Sequence, residues 1–531
     1  MLEFKKIIEK RLIIILLLVS ACAIFISCNK YWAPYDEGIV TVAAERFTQG
    51  EVLYRDFFII MYPPGQVFML SLLYKIFGVT LGVGRIYTGF VHIFIALLVY
   101  MMCYHLTRKK GISVICWLFA LFSLAPRLGA IPSPIWPGIA LGLFSVYLFM
   151  LYVKSEKRSL LLLCGLTCGL SAIFRHDIGI FAFISIFITL ILFRKGLKPL
   201  IFFIMSFAVL PAAVFIYLFS KGALPDAFES LFLFPAIHQK TALINFPNMC
   251  FNPIMIFHKS LYFIKVNQYY IPIFIYLITA VLLIKKLILK RVFDEREIGL
   301  LALLLFGILT FNQVRIRTDP AHLLTVIFPS IVLFGYLMNV SICEKMTNRP
   351  ARYIYNVCVF FVLFLFSLLL VKNMDKFIKN VFRKPLKKKI ILTRFDRGSV
   401  YIPKEDQSIK DAVSYIKNNT ENGERIYVGN SAHWKDDFGG SLLFYTLCER
   451  LPCTKFYELA PGLITQRKVQ EEIKGSISEG DVKFIILQDV DLPNIAKSKI
   501  DIDKIILDNF IEQNYKLVKK YGKYGIYKKV N

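Results

Sequence analysis

Long apolar runs broken by short polar joints dominate this chain. A helix needs about 20 apolar residues to cross a bilayer, fewer where flanking side chains snorkel. On that basis the predicted spans are 12–28, 83–105, 112–126, 137–153, 159–174, 178–193, 199–219, 269–288, 298–311, 321–341 and 353–371. Lys5, Lys6, Lys10 and Arg11 precede the first run and predict a retained first helix that starts in the cytoplasm. Residues 39–50 carry Ile39, Ala43 and Phe47 on one stripe, with Glu45, Arg46 and Gln49 opposite. That pattern predicts a helix lying in the interface plane, stopped at Gly50. Pro63-Pro64 can open a second such helix over 65–77, ended by Gly78. From about 396 the pattern becomes that of a soluble α/β unit. Helices are predicted at 405–419, 440–448 and 465–478, strands at 425–429 and 482–487, and a hairpin around Tyr521-Gly522-Lys523.

Composition agrees with a membrane protein, since 56% of the 531 residues are hydrophobic. The net charge of +27 does not point to nucleic acid, because the basic residues cluster between apolar runs rather than among aromatics on a soluble face. Clusters at 108–110, 154–158, 194–198, 285–296 and 345–352 all fall on the side of the N-terminus if the spans alternate. The opposite, outer side then receives 29–82, 127–136, 220–268, 312–320, the Arg175-His176-Asp177 corner and everything after 373. The Lys- and Arg-rich stretch 372–389 falls outside against that trend, where contact with anionic headgroups is its simplest role. The expected organisation is a transmembrane unit 1–372, a basic linker 373–395 and an extracytoplasmic α/β domain 396–531. Most of the 11 cysteines lie in apolar spans, whereas Cys448 and Cys453 could pair if their region meets an oxidising compartment.

Charged residues on the outer side carry the candidate chemistry. Asp36 and Glu37 follow the first span, where paired carboxylates are costly to desolvate. They suit a general base or a cation ligand; they equally suit a helix start, with Asp36 as N-cap and Glu37 in the first turn. Asp56 adds an acid to the same loop, with Arg55 or Arg46 as alternative partners. Arg315 and Arg317 suit a phosphate head, because the guanidinium fork matches its oxygens; snorkelling at a helix end is the plain alternative. Asp319 and His322 follow closely. Arg175, His176 and Asp177 crowd a tight corner, as a network facing a cavity or as a structural salt bridge. His433 to Asp437 suits an exposed turn.

Asp36-Glu37-Gly38, Tyr54-Arg55-Asp56-Phe57, Tyr62-Pro63-Pro64-Gly65, Phe77-Gly78 and Arg85 together resemble the GT-C superfamily of membrane glycosyltransferases. The nearest look is to the branch of protein O-mannosyltransferases, aminoarabinose transferases and Rgt-like bacterial enzymes. Arg315 to His322 looks like a later motif of the Rgt-like relatives, and Leu442 to Glu458 like their appended domain. The resemblance implies a polytopic α-helical fold of about 11 transmembrane helices, two interfacial helices in the first outer loop and a small C-terminal α/β domain. It implies a polyprenyl-phosphate-linked sugar donor, inversion at the anomeric carbon, and a lipid, glycan or protein acceptor at the outer face of a bacterial plasma membrane. On that basis Asp36 and Glu37 are the expected catalytic residues. Asp56, Tyr62, Arg85, Arg175, His176, Asp177, Arg315, Arg317, Asp319 and His322 are the expected substrate-binding residues. The second acidic motif of the mannosyltransferases has no clear counterpart, so any divalent cation would fall to Asp36 and Glu37. Two rival readings share the donor: a flippase or transporter, and a polymerase or ligase of lipid-linked sugars.

Overall fold

In a computed structural model the predicted spans are all helical, and they leave a large apolar surface uncovered. The structure describes residues 2–124, 131–193, 196–238, 244–250, 260–290, 293–343, 349–381, 390–435, 438–490 and 501–530. Parts of the basic clusters 194–198, 285–296, 345–352 and 372–389, parts of segments 127–136 and 220–268, and Asp436-Asp437 lie outside the described residues.

The helix bundle runs through α1 (Leu2–Ser27), α2 (Asp36–Thr48), α3 (Gly65–Phe77), α4 (Leu81–Thr107), α5 (Lys110–Leu124), α6 (Ile135–Ser155), α7 (Arg158–Phe174), α8 (His176–Leu192) and α9 (Leu197–Ser220). After short helices α10 (Leu224–Phe228) and α11 (Phe234–His238) it continues through α12 (Ser260–Asn267), α13 (Tyr270–Lys290), α14 (Glu295–Thr310), α15 (Asn312–Ile316), α16 (Pro320–Val326), α17 (Phe328–Cys343) and α18 (Arg349–Val381). Local chemistry sets several starts. Thr80 accepts the Val83 N–H at the head of α4, and Asp294 and Glu297 form a capping box on α14. One continuous core joins residues of α4, α5, α6, α14 and α17. Ile201, Met205, Phe215, Ile216 and Phe219 of α9 are exposed, which suits acyl chains and not water.

Among the described residues six helices are long and apolar enough to cross a membrane, or seven if α16 and α17, bent by 57°, form one broken span. The other expected spans, on α1, α5, α7 and α8, are shorter apolar helices. The expected count of eleven is therefore not reached on length.

The C-terminal part holds an antiparallel pair, β1 (Ile390–Phe395) and β2 (Gly398–Pro403), and a four-stranded sheet. The sheet has the order β3 (Tyr427–Asn430), β4 (Phe484–Gln488), β6 (Tyr524–Lys529), β5 (Tyr515–Tyr521), with β3 and β4 parallel and the rest antiparallel. Helices α19 (Ser408–Asn419), α20 (Leu443–Cys448), α21 (Arg467–Glu479) and α22 (Ile506–Asn514) accompany it. The hairpin turns at Gly522, whose φ of 55° suits a residue without a β-carbon. The domain limits differ from expectation: α18 runs on to Val381 and the first strand already starts at Ile390. Cys448 and Cys453 are both free thiols, not a disulfide. His433 is buried, not in an exposed turn: its Nδ1 lies 2.6 Å from Asp508 and its Nε2 2.8 Å from the Tyr427 hydroxyl.

The largest correction concerns α2. Its residues from Glu37 to Arg46 are buried, so it does not lie in an interface plane with one face wet. The C-terminal domain covers it. Leu443 N–H donates to Pro34 O (2.8 Å), and the Tyr457 hydroxyl donates to Ile39 O (2.7 Å). The polar stripe that suggested solvent is satisfied by protein: Arg397 pairs with Glu45 at 2.7 Å, and Arg46 pairs with Glu51 and donates to Thr454 O. Gly38 permits the approach, because a β-carbon there would sit 2.4 Å from the Leu443 nitrogen. Ile39, Val42 and Phe57 share one core with Val400, Leu443, Ile486 and Ile526, so the first loop and the C-terminal domain pack as one body.

Candidate active site

The sequence places many acids on one side of the bundle, and the structure gives almost all of them a partner. Glu37 is fully buried and holds Arg85 through two bonds, Nε to Oε1 at 2.8 Å and Nη2 to Oε2 at 2.7 Å. Arg85 also donates to Cys28 O and Tyr31 O, both at 3.1 Å. Neither residue is open to a ligand, so the expected catalytic role of Glu37 and binding role of Arg85 are replaced by a buried clamp between α2 and α4. Asp56 is held by Arg55 and accepts the Val52 N–H at 2.7 Å, closing its own turn rather than standing free for a substrate. Hydrogen bonding from Arg55 is the main force holding its carboxyl below the usual range.

Asp177 receives Arg175 Nε (3.0 Å) and Nη2 (2.8 Å), and Gln313 Nε2 (2.9 Å). This brings α15 onto the corner between α7 and α8. His176 opens α8 with its ring beside Phe232 at 5.8 Å. Asp319 caps α16 by accepting the Ala321 and His322 N–H groups, and its other oxygen lies 2.9 Å from His322 Nδ1. Asp319 and His322 thus serve a helix start.

Asp36 differs from all of these. It is the first residue of α2, but the N-cap is Tyr35 and no side chain caps the helix. Among the described residues its carboxyl has no hydrogen-bond partner. It is exposed to solvent, yet desolvation by surrounding protein raises its carboxyl above the ordinary range, a rise that the Arg317 charge opposes. A carboxyl both wet and crowded faces a recess rather than open solvent.

Tyr62 feels the charge of Asp36 and of groups from several other elements. Burial first, then the charges of Glu458 and Asp36, push its phenol up, while Arg175 and Arg317 pull it down. Two acids and two arginines from distant parts of the chain therefore act on one hydroxyl. Its backbone is fixed by the buried Tyr54, whose hydroxyl donates to Tyr62 O at 2.7 Å. Tyr54 and Met61 both sit at positive φ (70° and 62°), a sparse conformation for non-glycine residues that often marks functional loops.

Arg317 lies 3.1 Å from Asp319 through Nε, close enough for an ion pair but without hydrogen-bond geometry. Its Nη groups have no hydrogen-bond partner among the described residues. Arg315 is exposed and turned to Asn312 at 2.8 Å. The two arginines, predicted as equals, are separated by the end of α15.

Glu458 is the site residue that sequence reasoning missed. It appeared only as part of the appended domain; its backbone spacing carries no sign that it reaches Asp36. It is 5% exposed, and its Oε2 accepts the Ile60 N–H at 2.9 Å. Burial, with a contribution from Asp36, pushes its carboxyl up to about 8 against the pull of that N–H.

Among the described residues, no three His, Cys, Asp or Glu side chains gather closely enough to hold a metal ion. Glu37, one of the two expected cation ligands, is committed to Arg85. The residues present do not fit an Asp36–Glu37 metal site.

No protein-family description matches the chain, and no curated protein matches it by sequence. Solved structures do. ArnT from Cupriavidus metallidurans bound to undecaprenyl phosphate superposes with a TM-score of 0.52 at 12% identity, over 97% of this chain and 98% of that one. ArnT from the same organism in the apo state gives 0.52 at 10% identity, over 98% of both chains. Identity this low speaks for architecture alone. The overlap takes in the helix bundle and the C-terminal domain together, and on it the chain has the GT-C fold.

Proposed function

We propose that this protein is an inverting glycosyltransferase that moves a sugar from a polyprenyl-phosphate donor to a hydroxyl acceptor. The single observation that carries this reading is Asp36: among the described residues, a candidate acid without a hydrogen-bond partner, facing a recess within the field of Arg317. An unpaired carboxylate beside an unsaturated guanidinium is costly and suits a site that completes itself with ligand. The fold supports a lipid-linked donor, since the superposing ArnT carries undecaprenyl phosphate.

In this reading the acceptor hydroxyl meets Asp36, which takes its proton as the oxygen attacks the anomeric carbon. The bond from that carbon to the phosphate oxygen breaks on the opposite face, which inverts the configuration. The departing polyprenyl phosphate keeps the electron pair. Arg317 stabilises that charge through its Nη groups, helped by the Nη1 of Arg175, which has no partner among the described residues. One well-placed donor of this kind is worth roughly 3 kcal/mol at the transition state. Glu37 and Arg85 hold the head of α2 in place, and Tyr62 lines the recess.

The charge pattern supports an outer-face site. Arg108 to Lys110 and Lys154 to Arg158 stand at the ends of α4, α6 and α7 far from Asp36, where a cytoplasmic surface would lie. A bacterial plasma membrane, with the C-terminal domain outside, follows from this reading. The test is transfer of labelled sugar from a polyprenyl-phosphate donor by purified protein. Asp36→Asn should lower turnover by roughly 10²–10⁴-fold while leaving donor binding in place. Near-full activity in that variant would remove Asp36 from the chemistry; translocation of the donor without bond formation would favour a flippase.

A further inference from the structure

Glu458 reaches the recess from the C-terminal domain, far in sequence from every other group there. The segment that carries it is pinned on both sides. Phe58 N–H donates to Lys455 O at 3.0 Å, and the Tyr35 hydroxyl donates to Leu459 O at 3.3 Å. Ile60 N–H fixes one carboxyl oxygen at 2.9 Å. The other, Oε1, has no hydrogen-bond partner among the described residues. The charged and titratable groups around it are Asp36 and Tyr35 at the head of α2, Tyr62 on the loop, and Tyr457 beside it. Arg175 and Arg317 act on Tyr62, and Arg317 also on Asp36. Among the described residues no cation pairs with Glu458. A buried carboxyl without a counter-charge, near a second carboxyl, holds its proton.

We propose that Glu458 is a substrate-binding residue, its Oε1 meeting a sugar hydroxyl of the donor or acceptor. This deepens the glycosyltransferase reading and rests on it. A neutral carboxyl can both donate to and accept from a hydroxyl. It also leaves Arg317 to Asp36 and the lipid phosphate, because an ionised Glu458 would add a competing negative charge. Glu458 is thus a sugar-reading group supplied by the C-terminal domain, and ionising it switches transfer off.

The experiment has two arms on the full-length protein in lipid nanodiscs. Infrared difference spectra are taken from about pH 6 to about pH 9.5, for the native chain and Glu458→Gln. The native protein should show a carboxylic-acid band that converts to carboxylate near pH 8 and is missing in the variant. If the two spectra match, the proposal is overturned whatever the protein catalyses, so this arm fails separately from the glycosyltransferase reading. In the second arm kcat/KM for sugar transfer is followed over the same range. The native protein should lose activity through the same transition. Glu458→Gln keeps a neutral hydrogen-bonding group and the Ile60 contact, so it should stay within about threefold at pH 7 and lose the alkaline fall. Glu458→Leu, which keeps bulk but cannot meet a hydroxyl, should raise KM roughly tenfold or more. An alkaline fall that persists unchanged in Glu458→Gln, or an inactive but folded Glu458→Gln at pH 7, overturns the proposal.

Discussion

Breaking the Glu37–Arg85 clamp one side at a time separates architecture from chemistry. The pair is bidentate at 2.8 and 2.7 Å, with side chains 0% and 1% exposed. Arg85→Met leaves a buried carboxylate without a counter-charge and frees the carbonyls of Cys28 and Tyr31. Removing one partner of such a pair costs roughly 3–5 kcal/mol. Glu37→Gln should cost less, since Arg85 keeps both carbonyl contacts. The double variant Glu37→Gln/Arg85→Met carries no buried charge, so it should recover much of the loss; the coupling between the sites should be on the order of 2–3 kcal/mol. Thermal unfolding of the four proteins in one detergent gives the order: native and double variant highest, Arg85→Met lowest. Sugar transfer is then measured at a temperature where all four are folded. If Glu37 only holds α2, the double variant retains a substantial part of native activity. A folded double variant without activity, or one less stable than Arg85→Met, would refute the clamp and return Glu37 to the chemistry.

Three further outcomes follow from the same geometry. Arg317→Ala should lower kcat for transfer by roughly 10²-fold or more, whereas Arg315→Ala, exposed and turned to Asn312, should change it little; equal losses would show that both arginines meet the phosphate. Gly38→Val should loosen the C-terminal domain from α2, because its β-carbon would fall 2.4 Å from the Leu443 nitrogen. Limited proteolysis should then cut between α18 and β1 faster than in the native chain, and unchanged cleavage would contradict the packing. Glu458 should also shape stability. Its folded carboxyl stands at about 8 against an ordinary 4.5, so the unfolded chain releases this proton first. Stability is therefore lost as pH rises from about 4.5 to about 8, by on the order of 5 kcal/mol at most, and the loss is constant above that. Chemical denaturation should show a shallower decline over that window in Glu458→Gln, and an identical slope would count against the buried proton.

Periodicity recovered the helices well because each apolar run is a property of its own segment. The α2 stripe predicts an amphipathic helix in the interface plane, but the pattern does not say what covers a face. A helix half covered by lipid and one covered by a domain some 400 residues away look alike in sequence. The polar side of α2 is met by Arg397, Glu51 and Thr454, and only the fold brings them there. The strand β1 was lost in the expected basic linker, since the lysine-rich stretch before it dominates the local composition. Asp36 and Arg317 were legible as isolated charges in suggestive tracts. The commitments of Glu37, Asp56 and Asp319 were not, because a carboxylate in sequence carries no mark of its partner. Residue type told where charge lies; only geometry told which charge is left over.

That remainder has a structural source. The first loop and the C-terminal domain share one core, and their seam runs beside Asp36. Most acids near the seam are neutralised by ion pairs: Glu37 with Arg85 of α4, Glu51 with Arg46, and, across the seam itself, Glu45 with Arg397 and Glu51 with Arg425. Each bond fixes the backbone next to the recess without filling it. Asp36 and Glu458 feel each other's charge as acids in unequal environments, because Arg317 attends the first and burial isolates the second. Unequal environments sort two carboxyls into a base and an acid at one pH. Holding that inequality requires both halves of the seam, so on the proposed reading the domain that carries Glu458 is part of the site and not an accessory to it.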